Sequence, residues 1–247
     1  MIKSFPRLIS LLTFCFIFIQ CKQENASLPV KTKEKVSPIE KQEPVIVKET
    51  PIKKVEETVK PSPKPIPDGW KEISKVTSGI ALDIKYATSD NFTKKKIYDC
   101  AKCYLRPEAA SKLVEIHKLL KEKYGYGIKV FDCFRPRPYQ QRLWDIMPNP
   151  SYVTPPEKGS MHSRGLAVDL TILDKNGEEL DMGTPYDFFG KEAHQDYKGH
   201  SSEVNKNRTL LKSTMEENGF GSIRTEWWHY SYKTKSYPLD DWVWECE

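Results

Sequence analysis

Two histidines and two carboxylates stand in two short segments of this 247-residue chain. His162 and Asp169 belong to Ser160-Met161-His162-Ser163-Arg164-Gly165-Leu166-Ala167-Val168-Asp169-Leu170, and Glu226 and His229 to Glu226-Trp227-Trp228-His229. The imidazoles of His162 and His229 with the carboxylate of Asp169 make the donor set of a catalytic zinc site, three protein ligands that leave a fourth tetrahedral position for water. Glu226, three residues before His229, is a carboxylate not needed as a ligand and so available to move protons. The chemistry expected is metal-assisted hydrolysis with one Zn2+ per domain. Any one of these residues alone is more often a hydrogen-bonded core group. All four together favour the site, with Asp169 in an apolar strand where an unpaired carboxylate is costly.

Spacing constrains the elements that must hold these groups. His162 and Asp169 are seven residues apart, an odd separation that would put them on opposite faces of one strand. Ser163-Arg164-Gly165 must therefore turn, leaving His162 on a loop and Asp169 on the strand that follows. Parity also demands a bulge or turn through Trp227-Trp228, so that Glu226 and His229 can face one site.

Around them, residues 68–247 read as one α+β domain, a central antiparallel sheet flanked by helices, without the βαβ alternation of a doubly wound fold. Ile80 to Tyr86 alternates as a strand does. Pro107 to Lys123 reads as a helix, with proline in its first turn and Gly125 at its end. Ile128 to Phe131 is strand-like and runs into Asp132-Cys133-Phe134-Arg135-Pro136; Pro138 to Trp144 is a short helix. Leu166 to Leu173 is a strand, Asn176-Gly177 a turn, and Arg208 to Asn218 a helix stopped by Gly219. Lys191 to Asn207 reads as a polar loop, with His194 and His200 as non-ligands; His117 reads as a solvated helix position.

The first 67 residues differ in kind. Lys3 and Arg7 precede an apolar run, Leu8 to Ile19, of signal-peptide proportions, so residues 1–20 are expected to direct export. Cys21 after Phe18-Ile19-Gln20 resembles a lipobox cysteine, although Gln20 departs from the usual small residue; ordinary secretory cleavage and an uncleaved anchor are the alternatives. Residues 21–67 then carry Pro29, Pro38, Pro44, Pro51, Pro61, Pro63, Pro65 and Pro67 with no aromatic residue, a composition that suits a disordered stalk. Residues 1–67 hold 12 basic and 7 acidic side chains, leaving the domain 27 of each. The sequence pI of about 8.7 therefore belongs to leader and stalk, and the domain carries no electrostatic case for nucleic acid. Cys100, Cys103, Cys133 and Cys246 permit two disulfides in three pairings. Cys100-Ala101-Lys102-Cys103 lacks the partner motif a structural zinc site needs, and disulfides or free thiols fit it better.

These segments resemble the VanX-type D-alanyl-D-alanine dipeptidases over residues 76–232. The matching stretches include Asp83-Ile84-Lys85-Tyr86-Ala87-Thr88, Asn91-Phe92-Thr93, Tyr104-Leu105-Arg106, Phe131 to Pro136, Ser160 to Thr171, Met182-Gly183-Thr184 with Asp187, Asn207-Arg208, and Glu226 to Tyr230. The resemblance implies the zinc-peptidase fold shared with lysostaphin-type enzymes and the Hedgehog signalling domain, and hydrolysis of D-Ala-D-Ala. It implies that His162, Asp169 and His229 bind zinc, Glu226 is base and then acid, and Arg135, supported by Asp132, steadies the oxyanion. Tyr86 and Ser160 are implied to hydrogen-bond the dipeptide and Asp187 to pair with its ammonium. A stem-peptide endo- or carboxypeptidase of the same fold, and a zinc-bearing binding module without turnover, are the alternatives. Retention of Glu226 and Arg135 argues against the second. The expected setting is the bacterial cell envelope, with a membrane reached through the lipid anchor.

Overall fold

The computed structural model describes residues 66–246. The expected signal peptide, the Cys21 lipidation site and nearly all of the stalk lie outside these residues. Among the described residues no helix is long and apolar enough to cross a membrane.

Five strands form the main sheet in the order β2 (Ala81–Leu82), β4 (Gly127–Asp132), β5 (Ala167–Leu173), β7 (Glu226–Tyr232), β6 (Phe220–Ile223). Its pairs are antiparallel except β2 with β4, which is parallel. The sheet is thus mixed rather than wholly antiparallel. The exception follows from connectivity, because the chain returns from β2 to β4 through the long helix α2 (Pro107–Tyr124) and can re-enter the sheet in the same direction. A separate ribbon pairs β1 (Lys71–Glu72) with β3 (Tyr104–Leu105).

Helix α2 forms where proline and glycine punctuate the chain: Pro107 opens it and Gly125, at φ 74°, closes it in the left-handed conformation. Ala109, Leu113, Ile116 and Leu120 give it a buried stripe at helical spacing. His117 is half-buried, with an Nδ1 that lacks a hydrogen-bond partner. Central β5 has neighbours on both edges and is buried on both faces, with Val168, Leu170 and Ile172 on one and Ala167, Asp169 and Thr171 on the other. A polar row therefore runs through the core, and it needs partners.

Two expected boundaries move. The strand expected over Ile80–Tyr86 pairs only at Ala81 and Leu82; Asp83 N still donates to Val130 O at 2.9 Å, after which Lys85–Ala87 coils into a 3-10 turn with Tyr86 buried. The last helix, α4 (Ser202–Glu217), which follows the short α1 (Ile73–Val76), α2 and α3 (Arg137–Ile146), begins six residues before the expected Arg208 and takes up part of the stretch read as a loop. Ser201 caps it, its hydroxyl accepting from Val204 N at 3.2 Å. Two disulfides settle the cysteines: Cys103–Cys133 ties the segment before β3 to the end of β4, and Cys100–Cys246 ties the C-terminal segment to the loop ahead of β3. Trp242 and Trp244 of that segment are buried against Tyr104 and Phe134.

Candidate metal centre and active site

Register puts three chemically competent residues side by side. Asp132 on β4 pairs with Asp169 on β5, and Asp169 pairs with His229 on β7. Directly paired residues share a face, so the row Asp132, Asp169, His229 points one way across three strands. A register shift between Val130 and Asp132 brings Asp132 into that row. A second shift, where Ser222 faces Tyr230 but Ile223 faces Glu226, meets the parity requirement between Glu226 and His229. His162 arrives from outside the sheet, on the 3-10 turn His162–Arg164. Gly165 reverses the chain there at φ 72°, and a Cβ on it would collide with the Trp70 ring.

The three donor atoms form a tight triangle. His162 Nε2 lies 3.0 Å from His229 Nδ1 and 3.2 Å from Asp169 Oδ1, and His229 Nδ1 lies 3.0 Å from the same oxygen. The outer nitrogens have partners of their own. His162 Nδ1 stands 2.6 Å from the Cys133 carbonyl, which can only accept, so it carries the proton and Nε2 the lone pair. His229 Nε2 stands 3.0 Å from Ser231 Oγ. The His162 Nε2 lone pair, His229 Nδ1 and an Asp169 oxygen thus converge on one point, as the donors around a cation do. Ligands about 2.0–2.2 Å from a tetrahedral zinc would be about 3.3–3.6 Å apart, and the observed edges lie within a few tenths of an ångström of that, so the donor set suits a metal ion. Burial opposes charge on His162, but the Asp169 carboxylate outweighs it and lifts the imidazole above its ordinary value. Burial would raise Asp169, and the two rings instead hold it below the usual carboxylate range.

The triad opens into a pocket of about 190 Å³ lined also by Tyr86, Arg135, Ser160, Asp187 and Glu226. Glu226 Oε2 is 3.9 Å from His229 Nδ1. Burial raises the Glu226 carboxyl, with Asp169 adding to the effect and His229 opposing it, as suits a group that must take up a proton and give it back. Arg135 is gripped from behind: Nε and one Nη donate to Asp132 Oδ2 at 3.0 and 2.5 Å, and the other Nη donates to Gln140 Oε1 at 3.2 Å. Asp132, fully buried, also accepts from Tyr98 OH at 2.6 Å. Ser160 Oγ is buried without a hydrogen-bond partner. Asp187 Oδ2 accepts from Tyr86 OH at 2.9 Å. Burial, together with Asp169 and Glu226, pushes the Asp187 carboxyl well above its ordinary value.

A sequence model described as D-ala-D-ala dipeptidase matches residues 68–243. The chain belongs to that family. The D-alanyl-D-alanine dipeptidase of Escherichia coli (strain K12) is 35% identical over 68% of this chain and 87% of its own length. The one from Enterococcus faecium is 32% identical over 69% of this chain and 94% of its own. A solved zinc complex of a VanY D,D-pentapeptidase variant is 18% identical, with a TM-score of 0.34, over 53% of this chain and 73% of that one.

In this dipeptidase-family chain the residues expected to bind metal, catalyse and contact substrate gather at one place, Asp132 just behind the pocket and the rest on its wall. His194 and His200 stand elsewhere, against Arg224 and the Glu192 carbonyl. Sequence reasoning missed the supports. Tyr98 and Gln140 carried no motif, and Tyr186, whose hydroxyl donates to Asp169 Oδ2 at 3.1 Å, was hidden beside Asp187. It also missed an aromatic rim at the pocket mouth, where Phe189 meets Phe92 at 5.0 Å and Tyr152 at 4.8 Å between ring centroids. Phe189 and Tyr152 remain 44% and 48% exposed; exposed aromatic positions in loops were the available signal.

Proposed function

We propose that this chain is a zinc peptidase that hydrolyses D-alanyl-D-alanine to two D-alanines. The observation that carries the reading is the joining of the His162–Asp169–His229 triangle and Asp187 on the wall of one small pocket. Its volume of about 190 Å³ is below the about 300–1,000 Å³ of sites for drug-sized ligands, and the family's substrate is small.

His162, Asp169 and His229 would hold the zinc ion, which would supply Lewis-acid chemistry at this point of the pocket. Glu226 accepts the proton of the attacking water and returns it to the leaving amine. Three of the five N–H groups of Arg135 are engaged by Asp132 and Gln140. The other two serve the oxygen on which charge develops. Asp187 faces the ammonium at the dipeptide's amino end, and that charge compensates a carboxylate which is costly to ionise in the empty pocket. Ser160 Oγ, unpartnered, and Tyr86 OH supply hydrogen bonds to the substrate. Export and lipid attachment at Cys21 place the enzyme in the cell envelope, a reading supported by the apolar leader, the stalk composition and the two disulfides.

The test is turnover of D-Ala-D-Ala beside L-Ala-L-Ala and N-acetyl-D-Ala-D-Ala. Fast hydrolysis of the first, none of the second and only slow hydrolysis of the third are expected; faster cleavage of the acetylated dipeptide or of longer stems would replace the proposal with the wider-cleft peptidase.

A further inference from the structure

Arg208 is a buried cation that the proposed reaction does not use. It stands on α4, 6% exposed, and its donors end on backbone carbonyls rather than on a carboxylate. Nε donates to Met182 O at 2.7 Å, one Nη to Glu192 O at 2.9 Å and the other to His194 O at 3.1 Å. These carbonyls bracket Asp187: Met182 lies five residues before it, Glu192 and His194 five and seven after. One planar guanidinium thus closes the neck of the 182–194 loop, bridging three carbonyls of its two feet at once; Glu192 O also accepts from His200 Nε2 and His194 O from Tyr197 N, so the fork's part is to hold the feet together.

What the neck holds is the substrate-facing part of the pocket. Asp187 sits at φ 59°, a left-handed conformation that a non-glycine residue keeps only when its surroundings fix it. Next to it, Tyr186 OH donates to the ligand Asp169, and Thr184 Oγ1 accepts from the Trp227 indole at 2.9 Å. Just past the neck, Gln195 donates through its backbone to Arg224 O at 2.8 Å and through Nε2 to Glu226 O at 3.2 Å. The loop's far foot is therefore tied to the segment that carries Glu226.

We infer that Arg208 is the positioning residue of the ammonium site: by holding both feet of the 182–194 loop it fixes where the Asp187 carboxylate stands relative to Glu226 and the ligand triangle. The inference rests on the proposed role of Asp187. It acts at a distance, since Arg208 touches neither substrate nor metal ligand.

The experiment compares wild type, Arg208→Lys, Asp187→Asn and the double variant, each zinc-loaded, on D-Ala-D-Ala and its N-acetyl form. Amide hydrogen exchange is followed over residues 183–193. Arg208→Lys keeps the charge but loses the planar fork, and is expected to raise KM for the free dipeptide about 10- to 100-fold with a much smaller change in kcat. The already slow acetylated substrate should be little affected. The double variant should be no worse than Asp187→Asn alone, because the second change acts only through the first. Exchange in 183–193 should quicken while the sheet stays protected. Losses that multiply in the double variant, or that are equal for the two substrates, would overturn the inference, as would unchanged exchange in the loop. Should Arg208→Lys fail to fold, Arg208→Gln carries the same comparison. A wild type inactive on D-Ala-D-Ala sinks the proposed function instead, and the exchange result alone then decides whether Arg208 holds the neck.

Discussion

Glu226 and Asp187 are two acidic residues of one pocket, both raised by burial, yet substitution should separate them. Glu226 stands beside the triangle without belonging to it. Glu226→Gln should therefore retain its zinc by metal analysis and lose about 10²- to 10⁴-fold in kcat; loss of the metal together with activity would make Glu226 a ligand. Asp187→Asn should impair turnover but stabilise the fold. A carboxyl whose folded pKa is raised ionises more readily in the unfolded chain, so stability falls as pH climbs from its ordinary value through the raised one. Removing that charge should raise Tm at pH 7 by about 2–4 °C, the equivalent of about 1 kcal/mol in a domain of this size. The gain should vanish below about pH 4, where the unfolded carboxyl is also protonated. Thermal melts of the substrate-free proteins at pH 3.5 and 7, in the same metal state, check both the sign and the window. Tm values that are equal or lower for the variant at pH 7 would show that the pocket already compensates Asp187.

Elements whose residues report on their own surroundings were legible in the sequence, and those set by distant partners were not. Proline, an apolar stripe and glycine made α2 readable, and continuous apolar character did the same for β5. Parity alone required a turn after His162 and an irregularity before His229, and both are present. The start of α4 was obscured because polar residues dominate it; the signal was Ser201 placed three residues before Val204. The early end of β2 depends on a partner strand whose paired residues lie 48 positions downstream in sequence, which local alternation cannot reveal. Nor could it reveal the rim, whose rings come from three separate segments and meet only in the fold. At the mouth of the small pocket those rings would, under the proposed function, limit what can extend beyond a bound dipeptide. Phe189→Ala removes two ring contacts at once and should raise the kcat/KM of a tripeptide ending in D-Ala-D-Ala relative to the dipeptide by about tenfold. An unchanged ratio would leave substrate length to be set by charge alone.

At the scale of the whole chain, the proposed reading gives anchoring to the segment before the globular domain and hydrolysis to the domain. If Cys21 is acylated, Cys21→Ser should abolish lipid labelling and release an otherwise active enzyme from membranes, or halt its processing; membrane attachment that persists with cleavage at another residue would reject lipidation. The domain's own covalent ties lie behind its chemistry. Cys133 shares a disulfide with Cys103 and offers its carbonyl to His162 Nδ1, so a cross-link and a ligand's outer hydrogen bond meet in one residue. Thiol compounds are common probes of metallopeptidases, because thiolates seek out zinc. They also exchange with disulfides. Inhibition of this enzyme by dithiothreitol would therefore mix two injuries, capture of the ion and loosening of the residue that aims one of its ligands. The two part company on reversal: added zinc repairs only the first, and the second also waits for reoxidation.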